Sequence, residues 1–368
     1  MKKAFKYSIG AILVSAALSA NAGVTVVDNE EGKFSIGGDV EFDFNYRDSE
    51  SKAYGKGFDQ SGRILMNFAG ERYTTSDHYF KLNAQALFDT SGNMGVDDAW
   101  FSFGKKDGWD IKMGRFEGTD MFPVGQDTFL EYSGDTSNSL HNDAAFYTYQ
   151  LKEARGRGAE GQAMYSQQFG DLYVEVGTMF GDRTAMFTDN TYHGRELQYN
   201  EDSFLIRPVV SYQAGNFKIS AAMETNLVSD AITTKTGNVD VSDRTGYGVT
   251  ANYSIDDLSI NLNWAHMDAV DETNSTVGLN VLYKGFGVGY VQGENEYEVN
   301  EIKGGLLEGD ASIESWYASY HFANVLDVED FSVYVGAYLS SIDDDDLTRG
   351  EFTEHDDKGY RIRFKYFF

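Results

Sequence analysis

The chain alternates. Over 34–46, one set of positions reads Phe34, Ile36, Gly38, Val40, Phe42, Phe44 and Tyr46, and the interleaved set includes Asp39, Glu41, Asp43 and Asn45. A β-strand sends successive side chains to opposite faces, so this segment has one apolar and one strongly polar face. The pattern returns at 80–88, with Phe80, Leu82, Ala84, Ala86 and Phe88 against Lys81, Asn83 and Gln85. It returns at 258–264, where Leu258, Ile260, Leu262 and Trp264 oppose Ser259, Asn261 and Asn263, and at 332–339. Further strands are predicted near 61–69, 97–104, 109–115, 157–168, 171–180, 203–213, 216–225, 244–254, 276–284, 286–293, 313–322 and 357–368. The total is about sixteen, most of them near the 9–11 residues that cross an outer membrane at a tilt.

Both faces find a destination if the sheet closes on itself, with lipid outside and water inside. An open sheet in hydrocarbon would strand backbone groups at several kcal/mol each. The connections agree. Short links at 105–108, 170–171, 213–216, 255–257 and Gly285 alternate with long polar ones at 47–57, 181–201, 225–243, 294–311 and 341–356. Short turns at one rim and long loops at the other are the barrel pattern. Pro208 lies inside a predicted strand, where a closed sheet has no free edge for it, so a bulge or irregularity is expected there.

Composition narrows the classes. The 368 residues include 24 Tyr, 26 Phe and 39 Gly but only 2 Pro and no Cys. Without cysteine there is neither a disulfide scaffold nor a thiolate metal site. A net charge of −28 argues against nucleic acid, whose phosphates need a basic face. Lys2, Lys3 and Lys6, an apolar stretch over 9–18 and the small residues Ala20-Asn21-Ala22 read as a cleaved signal peptide over 1–22. The stretch is too short for a membrane helix. One all-β body over 23–368 is expected to follow.

At the other end, Tyr360, Ile362, Phe364, Tyr366 and Phe368 alternate with Arg361, Arg363 and Lys365, and the chain stops on Phe368. This resembles the last strand of bacterial outer-membrane barrels, whose terminal Phe is an assembly signal. With both chain ends on one side, the strand number should be even.

Between Arg115 and Arg155 lies a connection of about 40 residues, where structureless loops beyond about 12–15 are uncommon. The segment 146–151 within it has strand character, but counting it would break the even number, so it is assigned to the loop. This third long loop, over about 116–156, resembles the constriction loop of trimeric Gram-negative porins, which folds inward and narrows the channel. Gly114-Arg115-Phe116-Glu117, followed by Asp120-Met121-Phe122-Pro123-Val124-Gly125, resembles the raffinose-type carbohydrate porins. So does Arg155-Gly156-Arg157-Gly158 running into Gly161-Gln162.

The resemblance implies acidic loop residues facing basic wall residues, with a transverse field that sorts polar solutes. On the loop those are Glu117, Asp120, Asp127 and Glu131. On the wall, Arg63, Lys81, Arg361 and Arg363 fall on lumen-facing phases, and Arg157 begins the strand after the loop. The same residues could be solvated or paired between loop and wall. Phe116, Phe122, Phe129 and Tyr132, with Phe146, Tyr147 and Tyr149, could offer flat faces to sugar rings or pack the loop against the wall.

Weaker signals carry little. Gly156-Arg157-Gly158-Ala159-Glu160-Gly161 matches a nucleotide-binding glycine pattern but precedes a strand rather than joining strand to helix. The run Asp343, Asp344, Asp345 and Asp346 lacks the spaced ligands of a calcium loop and reads as a solvated acidic loop. His78, His141, His193, His266, His321 and His355 are scattered, with no triad or metal pattern, so no metal and no cofactor are expected.

The reading is therefore a trimeric, sixteen-strand outer-membrane porin, not an enzyme, passing hydrated solutes passively. Sugars and short oligosaccharides are the preferred class, and general diffusion of ions and small solutes is the alternative. A barrel adhesin or structural protein is the remaining one. Its expected partners are lipid, lipopolysaccharide, the barrel-assembly machinery and two further copies of itself.

Overall fold

In the computed structural model the alternating segments become strands of one antiparallel sheet. The structure describes residues 23–49, 56–126, 136–142, 146–157, 161–298, 308–343 and 355–368. The signal segment therefore lies outside the described residues. The first seven strands are β1 (Val24–Asn29), β2 (Gly32–Ser49), β3 (Lys56–Tyr73), β4 (His78–Asp89), β5 (Met94–Lys105), β6 (Trp109–Arg115) and β7 (Gln162–Phe169). Next come β8 (Leu172–Gly181), β9 (Thr191–Tyr192), β10 (Arg195–Tyr199), β11 (Ser203–Ala214), β12 (Phe217–Asn226), β13 (Ile232–Thr234) and β14 (Arg244–Ile255). The last six are β15 (Leu258–Ala269), β16 (Glu272–Tyr283), β17 (Phe286–Tyr297), β18 (Gly309–Phe322), β19 (Phe331–Asp343) and β20 (His355–Phe367).

Leaving aside β1, β9, β10 and β13, each strand pairs with the next, and β20 pairs back onto β2 from Asp39↔Phe367 to Ser49↔Asp357. The result is a closed sixteen-strand barrel. All sixteen strands fall where the alternation put them, and most run longer than the polar-apolar pattern alone marked. Closure is completed at the chain end, where Gly38 and Phe368 exchange backbone hydrogen bonds of 2.9 and 3.0 Å. Strand β1 continues the line of β20 along the lower part of β2, in register from Val24↔Ile36 to Asn29↔Gly32 with one irregularity.

Side-chain burial separates the two faces. Leu262, Trp264, Leu339 and Phe44 point outward and are 57%, 39%, 61% and 47% exposed, whereas Asn261, Asn263 and Tyr338 on the alternate phases are buried. The outer belt is what hydrocarbon requires, and the inner face carries the polar groups.

Pro208 produces no bulge but does interrupt the ladder, the milder of the two outcomes expected there. On the β8 side the ladder runs unbroken through Pro208↔Val176. On the β12 side it skips from Ile206↔Thr225 to Val209↔Ala222 and resumes in the same register. The missing N–H is absorbed by two unpaired positions rather than by an extra residue. A bulge does occur between β4 and β5, where the register slips between Ala84↔Ala99 and Ala86↔Val96. Asp97 and Asp98 then stand opposite one residue of β4, and a bulge of this kind re-aims side chains.

The sequence pattern did not mark β9, β10 and β13, which form a small three-stranded sheet between two long connections. Met186, Phe187, Tyr192, Leu197, Ile232, Val239 and Val241 from these connections form one apolar cluster with Leu140, Met179 and Leu205.

Candidate functional site

The wall formed by β20, β2 and β3 is a register-matched ladder of charge. Asp39, Glu41, Asp43 and Asn45 share the inner phase of β2 and are 5%, 5%, 5% and 6% exposed. Strand pairing sets Arg63 and Lys365 directly opposite Glu41 on its two sides, Arg363 opposite Asp43 and Arg361 opposite Asn45. Arg63 accordingly reaches Asp39 at 3.4 Å and Glu41 at 3.3 Å. Arg363 donates to both Asp43 oxygens at 2.8 and 2.9 Å. Arg361 donates to Asn45 at 2.8 Å, and Lys365 pairs with Glu41. Further along, Tyr338 donates to Asp357 at 2.7 Å, and Arg47 lies 3.5 Å from the same carboxylate. Opposite charges facing across strands contribute about 0.2–1 kcal/mol per pair.

The connection from β6 to β7 lies against the other wall. Its backbone carbonyls are held by lumen-phase side chains of successive strands. Thr250 donates to the Met121 carbonyl. Asn263 and Asn280 both donate to that of Pro123, at 2.7 and 2.6 Å, and Tyr317 donates to that of Val124. Asn295 donates to the Tyr147 carbonyl at 2.9 Å and accepts from the Tyr147 N–H at 2.8 Å. Arg207 donates to the carbonyls of Thr119 at 2.7 Å and Leu151 at 3.1 Å, while Glu175 accepts from Thr119. Close approach is possible because the wall is glycine at the contacts. A Cβ at Gly278 would come within 2.9 Å of the Phe122 ring, and one at Gly248 or Gly293 within 3.0 Å of Leu151 or Thr148. A glycine inside a strand costs packing and marks such an approach.

A second anchor converges on Glu272, the first residue of β16. Its carboxylate accepts from Tyr147 at 3.0 Å and Arg244 at 2.9 Å. His141 Nδ1 stands 3.1 Å and His193 Nε2 3.0 Å from its oxygens. The two imidazoles and the carboxylate offer ligand atoms within 4.8 Å of one another, a spacing that could hold a metal ion. The guanidinium already on the same oxygen opposes a further cation, and four donors satisfy the carboxylate without one. The group ties the connection, through His141 and Tyr147, to the β9–β10 connection and to the barrel. The histidines that look scattered in sequence are thus in part gathered. A parallel anchor joins Glu224, Arg155 at 3.1 Å and the Tyr149 hydroxyl. Burial beside Glu272 and Glu224 holds the Tyr147 and Tyr149 hydroxyls well above their ordinary pKa, so both remain donors.

These contacts rearrange the expected site. Among the described residues, Glu117 faces Arg157 at 2.7 Å rather than the cations of β3 and β20. Arg157 also reaches the bulged Asp97 at 3.1 Å and Asp98 at 3.3 Å. It precedes β7, which starts at Gln162, so it does not begin that strand. Asp120 accepts from the Phe122 N–H at 2.8 Å, turning back on its own backbone. Lys81 lies 4.5 Å from the Tyr79 ring centroid. Asp127, Glu131, Phe129 and Tyr132 lie outside the described residues. Phe116 and Phe122 are 1% and 0% exposed, and Phe146, Tyr147 and Tyr149 are buried as well, so their rings pack rather than present faces. Burial pushes the Glu117 carboxyl up to about 7 against the pull of Arg157, and burial beside Glu153 raises Asp120 in the same direction.

Sequence reasoning missed Arg207, Glu175, Glu224, Arg244 and Glu272, each a charge on the inner phase of a strand. The signal was available in the alternation, since an ionisable residue on that phase next to wall glycines marks a place where something packs.

A closed barrel with an apolar outer belt, a polar interior and a long connection against its inner wall defines an outer-membrane channel protein. Comparison makes this more specific. The chain belongs to the porin-like glycoporin RafY family, whose model matches residues 36–368. A search of curated proteins found no match. Solved structures of similar fold include the outer membrane channel DcaP of Acinetobacter baumannii, with TM-score 0.63 and 12% identity over 93% of this chain and 99% of that one. In-vitro folded OmpT of Vibrio cholerae, in trimer form, gives 0.59 and 14% over 92% and 100%. Salmonella typhi OmpF in complex with daunomycin gives 0.59 and 14% over 93% and 100%. At these identities the likeness shows the fold. Family and fold together indicate a channel for small solutes in the outer membrane rather than an enzyme.

Proposed function

We propose that the channel passes neutral sugars and short oligosaccharides by passive diffusion, with the connection after β6 setting its width. The observation that carries this reading is the charge ladder of β20, β2 and β3. Arg63, Arg363 and Lys365 are matched in register by carboxylates of the same wall and Arg361 lies 3.6 Å from Asp43, so this wall presents closely paired charges rather than a single-sign field. Ion sorting needs an unbalanced field, whereas neutral hydroxylated solutes need hydrogen-bonding groups and width. The glycoporin family name supports the same class. The trimer form of the Vibrio OmpT structure supports a homotrimer, and the N-terminal pattern supports cleavage before Gly23 on export.

The test is a planar bilayer carrying the purified protein. Under a KCl gradient the reversal potential should stay close to zero, and a neutral disaccharide should equilibrate across proteoliposomes faster than a singly charged solute of equal size. A strongly cation- or anion-shifted reversal potential with exclusion of the disaccharide would overturn the reading.

A further inference from the structure

The wall formed by β3, β4, β5 and β6, beside the start of the connection, holds a group of side chains whose polar atoms the contacts above leave uncommitted. Of the four tryptophans, Trp264 and Trp316 face outward and are 39% and 56% exposed, and Trp109 packs on Phe103 and His78 at a rim. Trp100 alone takes the inner phase, in step with the buried Asp98, Ser102 and Gly104 of β5. Its direct neighbours across the sheet are Asn83 on β4 and Gly114 on β6, and Asn83 in turn faces Ala69 on β3. Small residues therefore flank the indole–amide pair on both sides.

Asn83 is 5% exposed, and among the described residues neither its amide nitrogen nor its oxygen has a hydrogen-bond partner. The Asn67 oxygen, on the same phase of β3, also has none. The contrast with the opposite wall is what decides the matter. There Asn252 donates to Asn261, Asn261 to Asn280 and Asn280 to the Pro123 carbonyl, at 2.8, 2.8 and 2.6 Å. Those amides are committed to one another and to the connection. Both polar atoms of Asn83 are covered yet uncommitted among the described residues, and a buried amide without partners is costly unless water or a ligand supplies them. Lys112 is adjacent, its ammonium 4.7 Å from the Trp100 ring centroid and 5.5 Å from that of Phe116.

Resting on the sugar-channel reading, we propose that Trp100, Asn83 and Asn67 form a saturable subsite for a neutral pyranose-type ring on the lumen wall. A sugar presents an apolar C–H face and a rim of hydroxyls that both donate and accept. The indole takes the face, the unpartnered amides take the hydroxyls, and Lys112 swings aside to donate to a further one. The same combination suits a cation or a carboxylate poorly, because Lys81 and Lys112 oppose the first and Asp98 and Asp110 the second.

The test uses full-length protein in detergent, titrated with sucrose and with maltotriose. Trp100 is the tryptophan on the lumen side, so emission should shift saturably with sugar, and Trp100→Phe should abolish the shift while Trp264→Phe retains it. In planar bilayers, Trp100→Ala and Asn83→Leu should each raise the half-blocking sugar concentration about tenfold. If Asn83→Leu does not yield a heat-modifiable barrel, Asn83→Ser replaces it. A shift that survives in Trp100→Phe, or wild-type half-blocking concentrations in both variants, would overturn the subsite even though sugars permeate. Failure of wild-type protein to admit sucrose into liposomes would overturn the channel reading, and the subsite with it.

Discussion

Glu117 shows how far a single side chain departs from its sequence-level role. Read along the chain it is a loop carboxylate facing the channel. In the structure it is pressed against Arg157 and pushed up to about 7 by burial. A carboxyl raised above its ordinary value favours the seated loop while it is neutral. That contribution is complete below about 4.5 and is lost as pH rises through about 7. Amide hydrogen exchange around 117–122, corrected for intrinsic rate, should therefore show more protection at pH 5 than at pH 8. Glu117→Gln should flatten the difference, and protection that rises with pH would contradict the assignment. The inner phase of Arg63, Arg361 and Arg363 was legible because period two is short-range. Their partners were not, because pairing Asp43 with Arg363 depends on how the first and last barrel strands meet in register.

At the scale of elements, strands were legible and the connection was not. Strand positions follow from alternation, which the membrane enforces at every step. The seat of the connection depends on glycines and buried charges scattered over β8, β11, β14, β16 and β17, which no local window brings together. Pro208 makes the same point, since neighbouring pairs absorbed a defect that looked disruptive. Arg207 is the sharpest test of the seat, because its guanidinium serves both Glu175 and the loop carbonyls. Arg207→Ala leaves Glu175 buried beside bare carbonyls, and breaking one side of such a pair costs about 3–5 kcal/mol. The variant should remain a heat-modifiable barrel yet become sensitive to protease within 116–157 and show noisier conductance. Gly278→Leu should do the same by displacing Phe122. Wild-type protease resistance in both would mean that the wall does not hold the connection.

For the whole molecule, closure is the property on which the rest depends. The ladder returns to β2 through β20, and Phe368 makes the last pair with Gly38. Unheated samples should migrate differently from boiled ones in SDS gels. Phe368→Asp should lower the folded, membrane-inserted yield several-fold, since it places a charge at the closing seam and removes the terminal aromatic. A normal yield would remove Phe368 from the assembly step. Class and barrel were legible because net composition, signal-like N-terminus, alternation and final strand agree with one another. The sites were not, because channel chemistry depends on which inner-phase groups remain unspent after packing.

The most direct test of the central claim is liposome swelling with a graded series from monosaccharide to tetrasaccharide, run on wild-type protein and on a variant lacking 122–131. Wild type should admit the smaller sugars at rates that fall steeply with size. The deletion should admit larger ones through a barrel that is still heat-modifiable, because no barrel strand is touched. Swelling with none of the sugars, or an identical size cut-off in the two proteins, would contradict a sugar channel whose width is set by the connection after β6.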